Sequence, residues 1–187
     1  MILLVGIVAG LLAGLLRAWL KHKKLSIPYL NSIWLVFIAF VLQWLVFIWP
    51  VSRQAIPDRW AAITLVGTQL LLLVFAWVNR NQAGFVLLGV GLLLNFLAIT
   101  LNSGLMPISP QTVTQLAPNA APGSWQIGER AGKGKDIVLE ERDMRLGWLG
   151  DRFLLPYWIP YKVAFSIGDI LIACGAFWFL AWPRPPE

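Results

Sequence analysis

The stretch WAAITLVGTQLLLLVFAWVNRNQAGFVLLGVGLLLNFLAITL at 60–101 decides the fold. Residues 60–78 and 83–101 are two apolar runs, separated only by Asn79, Arg80, Asn81 and Gln82. About 20 mainly apolar residues cross the roughly 30 Å hydrocarbon layer of a bilayer. A segment in that layer must satisfy its own backbone hydrogen bonds, so each run is read as a helix. The short link makes the pair an antiparallel hairpin.

Three further runs of this kind flank the hairpin, at about 1–20, 30–49 and 160–182. The sequence therefore predicts an all-α membrane protein, a single integral membrane domain over 1–187 with five transmembrane helices. One long extracytoplasmic loop, 102–159, joins the fourth span to the fifth. Composition agrees: 58% of the 187 residues are hydrophobic and 13% charged, with a mean hydropathy of +0.71. Soluble domains are nearer half apolar and a quarter charged. A water-soluble enzyme, a disordered tail and a disulfide-stapled module are excluded, and Cys174 has no second cysteine to pair with.

Lys and Arg in the short loops set the orientation. Arg17, Lys21, Lys23, Lys24, Arg80 and Arg184 fall on one side, whereas only Arg53 and Arg59, flanking Asp58, fall on the other. The amino terminus is expected outside and the carboxyl terminus inside a bacterial cytoplasmic (inner) membrane. The formal charge of +6 is then a topology signal and a contact for anionic headgroups. Lipid bilayer, not nucleic acid, is the expected partner. The first span has its positive charges after the apolar run, so it reads as an uncleaved anchor. Trp19, Trp49, Trp60, Trp77, Trp158 and Trp182 fall near span ends, where indole prefers the interface.

The 102–159 loop begins rich in proline and glycine (Pro107, Pro110, Pro118, Pro122, Gly123). From 129 to 152 it carries six acidic and six basic residues, so it is neutral overall. Its end, 144–159, is rich in Leu, Trp, Phe and Tyr and is expected to lie back on the membrane surface.

Within the spans, Gly6, Gly10 and Gly14 make a smooth face on the first helix that admits a second backbone. That face serves either a neighbouring helix of the same chain or a separate subunit or second copy. Gln43, Gln69, Asn95 and Asp169 each come from a different span, roughly 9–14 Å below the outer surface by helical rise. Four helices contributing one polar residue at one level imply a shared polar layer. An intramembrane carboxylate is costly unless it is paired or faces water, so Asp169 is the first functional candidate. Lys162, seven residues and two helical turns earlier, is expected on the same face. Two loop motifs bracket the layer: Asn102-Ser103-Gly104, which ends the fourth span, and Gly150-Asp151-Arg152 ahead of the fifth. His22, the only histidine, and the lone cysteine leave no metal or haem ligand set, and no cofactor is expected.

NSGLMP at 102–107, LGDRFLLP at 149–156 and FSIGDILIACG at 165–175 together resemble an uncharacterised family of bacterial multi-spanning membrane proteins, the domain-of-unknown-function family numbered 5317. That likeness covers most of the chain and implies no activity. FSIGDILIACG also resembles the last-helix segment of lipoprotein signal peptidase, in which Phe-Asn-x-Ala-Asp precedes an apolar run and a Gly. On that resemblance Asp169 would be one aspartate of a catalytic pair and Asp151 the second. Two carboxylates sharing a proton would activate water and protonate the leaving group. The sequence departs from the peptidase pattern in placing Ser166 where that motif has Asn, and in having five spans rather than four.

Two functions are therefore carried forward. One is a non-catalytic accessory or scaffolding subunit of a larger membrane assembly, docking through the first helix. The alternative is an intramembrane aspartyl peptidase-like enzyme using Asp169 and Asp151 on a membrane-embedded or lipid-linked substrate. Gln43, Gln69, Asn95, Asn102 and Ser166 would be binding residues.

Overall fold

The structure is a computed structural model that describes residues 2–22, 29–119, 121, 123–156, 158–159 and 161–182. Met1, Lys23, Lys24, Pro122, Pro160 and Arg184, which the sequence reading uses, lie outside the described residues.

The described chain is mostly helical. Helix α1 spans Ile2–Leu20, α2 Trp34–Phe47, α3 Pro50–Ala55, α4 Asp58–Val78, α5 Phe85–Leu101, α6 Pro110–Leu116 and α7 Ile167–Ala181. By length and composition α1 and α4, of 19 and 21 residues, suffice to cross a membrane. Helices α2, α5 and α7 are apolar but shorter, at 14, 17 and 15 residues.

Two shorter helices differ from the expected runs for local reasons. In place of 30–49, α2 starts after a turn in which Ser32 takes φ +55°. It stops before Pro50, which lacks the N–H needed to continue a helix and disfavours helical geometry at the residue before it. Trp49 is accordingly extended, and Pro50 opens α3. In place of 160–182, α7 starts at Ile167, because the preceding residues belong to a strand. Lys162 is thus off the helix and does not share a face with Asp169.

The expectation of a purely helical chain is also corrected. The segment between α5 and α7 folds into a cap with two small sheets. Strand β1 (Met106–Ile108) pairs in parallel with β2 (Asp136–Val138), with Met106 opposite Asp136. Strand β3 (Phe153–Leu154) pairs antiparallel with β4 (Ala164–Phe165). Asp151 N–H donates to Pro107 C=O at 3.0 Å, fastening the Gly150-Asp151-Arg152 turn to β1. Arg130 closes the cap onto the helices: it ion-pairs with Asp58 at 3.2 Å and lies over the Phe47 ring.

Small residues set the helix packing. A Cβ on Gly6 would lie 2.5 Å from Ala173 O, and one on Gly10 2.8 Å from Phe177 O, so α1 runs parallel to α7 at close range. Gly14 is buried on the same helix. A Cβ on Gly91 would lie 2.5 Å from Gly168 O, and one on Gly175 2.6 Å from Gly84 O. These two glycine pairs, each seven residues apart on its own chain segment, lock α5 and α7 antiparallel. Helix α4 packs on α5, and α2 on α4. The result is an arc in the order α1, α7, α5, α4, α2. Its two ends, α1 and α2, face each other without packing together among the described residues.

Candidate functional site

Inside the arc lies a cavity of about 580 Å³, bordered by all five apolar helices and by the cap. Its floor is aromatic: Phe85 meets Phe75 and Phe179 edge-on, with centroids 5.5 and 5.3 Å apart. Its walls are aliphatic, supplied by residues such as Ile7, Val36, Leu72 and Ile172. Its polar end lies towards the cap, where Gln43, Gln69, Asn95, Lys135 and Asp169 all border it.

Asp169 owes its position to the start of α7. Ser166 is the N-cap: its Oγ accepts from Asp169 N–H at 3.0 Å, while Asp169 Oδ2 accepts from Ser166 N–H at 3.1 Å. This capping box satisfies two of the donors that every helix start leaves unpaired. Asp169 is therefore in the first turn of α7, not two turns inside a longer helix. Its second oxygen, Oδ1, accepts from Asn95 Nδ2 at 2.8 Å, and Asn95 Oδ1 in turn accepts from Ser166 Oγ at 2.8 Å. Asn95 and Ser166 are both buried, with Ser166 at 0% exposure. The absence of a side chain at Gly168 makes this closed network possible, because a Cβ there would collide with Asn95 Oδ1.

On the opposite wall, Gln43 Nε2 donates to Thr68 Oγ1 at 2.9 Å, joining α2 to α4. Gln69 Oε1 is buried without a hydrogen-bond partner. A buried acceptor in that condition forgoes the hydrogen bond it has in water, so it favours a ligand that donates.

Lys135 enters from the cap, just ahead of β2. Its Nζ lies 2.6 Å from Asp151 Oδ2 and 3.2 Å from Asp136 Oδ1. It is deep in the fold, yet 42% of its side-chain surface is open because it borders the cavity. Burial alone would lower the Lys135 ammonium, but the fields of Asp136, Asp151 and Asp169 outweigh it and hold the group above its ordinary value. Asp151 is 2% exposed. Burial pushes its carboxyl up, Lys135 pulls it back, and Asp136 and Asp169 push it further, to about 8.

The structure thus gathers Gln43, Gln69, Asn95 and Asp169 around one cavity, with Ser166 behind them. Asp151 is one side chain away, on the far side of Lys135, and borders a separate cap pocket. Asn102 lies apart from the cavity. Its side chain donates to Arg145 C=O at 2.7 Å and accepts from Arg145 N–H at 2.9 Å, holding the cap loop against the end of α5. The glycine face of α1 is covered by α7 of the same chain. Sequence reasoning missed Lys135, Thr68 and the α5–α7 glycine pairs. Only the glycines leave a trace, a matching spacing of seven in two apolar runs.

A family model matches residues 28–181, spanning the cavity helices α2, α4, α5 and α7 and the whole cap. The chain belongs to the family of unknown function DUF5317. It is also similar to an uncharacterized protein of Thermotoga maritima, with 27% identity over 184 residues, covering 98% of this chain and 90% of that protein. No solved structure matches it. The matched region includes Asn95, Lys135, Asp151, Ser166 and Asp169, so the cavity's polar end lies wholly within the family segment.

Proposed function

We propose that this chain is a five-span protein of the bacterial cytoplasmic membrane that binds a single-chain amphiphile in its interhelical cavity. The observation that carries the reading is the cavity itself: aliphatic and aromatic walls, one polar end, and a flank between α1 and α2 where the helices do not pack. A volume of about 580 Å³ falls in the range of roughly 300–1,000 Å³ found for small-molecule sites. A ligand with its chain among Phe75, Phe85 and Phe179 would put its head at Gln69, Lys135 and Asp169, entering sideways from lipid.

Several features support the membrane setting. Consecutive apolar helices alternate in direction, as five spans require. Their outward faces are apolar over a large area, with Val5, Leu12, Phe37, Phe40 and Val86 all more than 60% exposed, a surface that water does not tolerate. The positive-inside bias puts the cap outside, the amino terminus outside and the carboxyl terminus inside.

The cavity reading has better support than the two readings drawn from sequence. The glycine face suited to a partner subunit is covered by α7. A peptidase pair needs carboxylates that share a proton over one water. Asp169 is instead engaged by Asn95 and Ser166, and Asp151 by Lys135.

The test is saturable binding of radiolabelled dodecanol to the full chain in lipid nanodiscs, with empty discs as the blank. One site per chain is expected, weakened at least about tenfold by Ile7→Trp, which fills the cavity from α1. Binding no greater than that of empty discs would sink the proposal.

A further inference from the structure

The polar end of the cavity holds one charge of each sign. Among the described residues, Lys135 and Asp169 are the charged groups that border it, and the field of Asp169 reaches the Lys135 ammonium. Asp136 and Asp151 pair with Lys135 at 3.2 and 2.6 Å from within the cap and do not border the cavity. A cationic head would therefore meet the Lys135 ammonium, and an anionic head the Asp169 carboxylate. Neither would find a free counter-charge, and an ion without one is costly to bring into an apolar cavity.

Hydrogen-bonding capacity, by contrast, is left open there. Asn95 is fully used, donating to Asp169 and accepting from Ser166, and Gln43 donates to Thr68. The Lys135 ammonium can donate in three directions and meets two carboxylates, so one direction remains. Asp169 accepts once at each oxygen, and a carboxylate oxygen has room for a second donor. Gln69 borders the cavity with its Oε1 unpartnered, and turning the terminal amide about its soft last torsion brings that oxygen to the cavity. The open positions are thus one donor and two acceptors. A hydroxyl donates, accepts and carries no charge, so it suits all of them.

Resting on the cavity reading, we propose that the bound amphiphile is an uncharged long-chain alcohol, its hydroxyl donating to the Gln69 amide oxygen between Lys135 and Asp169. Its chain lies among Phe75, Phe85 and Phe179. No bond is made or broken. The site sorts single-chain amphiphiles by head group, holding the alcohol and turning away the fatty acid and the alkylamine of equal length.

The experiment measures binding of dodecanol, its isomer methyl undecyl ether, dodecylamine and dodecanoate to the full chain in zwitterionic nanodiscs. Affinities are referred to ligand dissolved in the disc lipid, with empty discs as the blank. The amine is tested at about pH 7 and the carboxylate at about pH 9, so that each stays charged, and dodecanol at both. Dodecanol is expected to bind about fivefold tighter than the ether, which cannot donate, and at least about tenfold tighter than either ion. Gln69→Leu should bring dodecanol down to the level of the ether while leaving the ether unchanged, which also reports that the variant is folded. Asp169→Asn leaves Lys135 without its partner in the cavity, so the affinity of dodecanoate relative to dodecanol should rise about tenfold. Where a variant fails to fold, the ligand series on the unmodified chain decides. The ether or either ion binding as tightly as dodecanol overturns this inference and leaves the cavity reading standing. So does a preference for dodecanol over the ether that survives in Gln69→Leu, or a dodecanoate ratio that does not move in folded Asp169→Asn. No saturable binding of any of the four overturns both.

Discussion

Asn95 Nδ2 donates to Asp169 Oδ1 at 2.8 Å, joining the interior of α5 to the first turn of α7. The same Asn95 accepts from Ser166 Oγ through its other atom. One amide thus serves the helix cap and the carboxylate together, so its removal leaves two polar groups without partners. Asn95→Leu is expected to destabilise the fold by about 2–4 kcal/mol, since each buried unpaired group costs roughly 1–3 kcal/mol. Asp169→Asn keeps an acceptor for Ser166 N–H but turns an amide N–H2 towards the donating Asn95 Nδ2, so it should cost about 1–3 kcal/mol. Reversible unfolding in mixed micelles, comparing the two variants, measures the difference. A loss below about 1 kcal/mol in Asn95→Leu would mean the network is not held together by Asn95.

The α5–α7 contact gives a sharper contrast, because backbone meets backbone there. A methyl at Gly91 would press on Gly168 O at 2.5 Å, and one at Gly175 on Gly84 O at 2.6 Å. Backbone cannot rotate away as a side chain does, so Gly91→Ala and Gly175→Ala should each cost about 1–3 kcal/mol by overpacking. Gly67 on α4 has nothing within 4 Å of its would-be Cβ. Gly67→Ala should instead stabilise by about 0.5–1 kcal/mol through helix propensity. The same unfolding measurement should therefore return opposite signs for substitutions of one kind on neighbouring helices.

These contacts also show how far the sequence could be read. The positions of the apolar runs follow from solvent physics, but helical rise misplaced Asp169, which lies in the first turn of α7 and not two turns inside it. Gln43, Gln69, Asn95 and Asp169 nevertheless border one cavity in the structure. Where helices end was less legible, because Ser32 and Pro50 trim α2 through local backbone geometry, and β3–β4 pairing decides where α7 begins. Lys135 was not legible at all. It sits in a Gly-Lys-Gly-Lys-Asp run that reads as solvated loop, and only the pairing of β2 with β1 carries it under the cap. The glycines of α1 were legible as a packing face, but their partner was not, because one face suits a second chain as well as α7.

Ionisation of Asp151 should leave a mark on stability versus pH. Its carboxyl stands near 8 in the fold against 3.8 unfolded. Between those values the folded chain holds a proton that the unfolded chain has lost, so stability falls as pH rises from about 4 to about 8 and is level above. Lys135 acts at the other end of the scale. Held above its ordinary 10.5, it contributes stability that is complete below that pH and lost as pH climbs past it. Unfolding midpoints from about pH 5 to about pH 9 should therefore decline and flatten near 8. Asp151→Asn should remove the decline. An unchanged slope in that variant would assign the effect to another group.

Orientation can be tested without any ligand. Lys and Arg accumulate on the cytoplasmic ends of spans because short basic loops resist translocation, and the turn carrying Arg80 is such a loop. Ser124 lies in the cap and Arg80 in the α4–α5 turn, and both are exposed. With Cys174, the only cysteine, first changed to Ala, a membrane-impermeant maleimide applied to intact cells should label Ser124→Cys. It should label Arg80→Cys only after the membrane is opened. The reverse pattern would put the cap in the cytoplasm and the open flank of the cavity in the opposite leaflet. Labelling of both in intact cells would mean that α4 and α5 do not cross the bilayer as a hairpin.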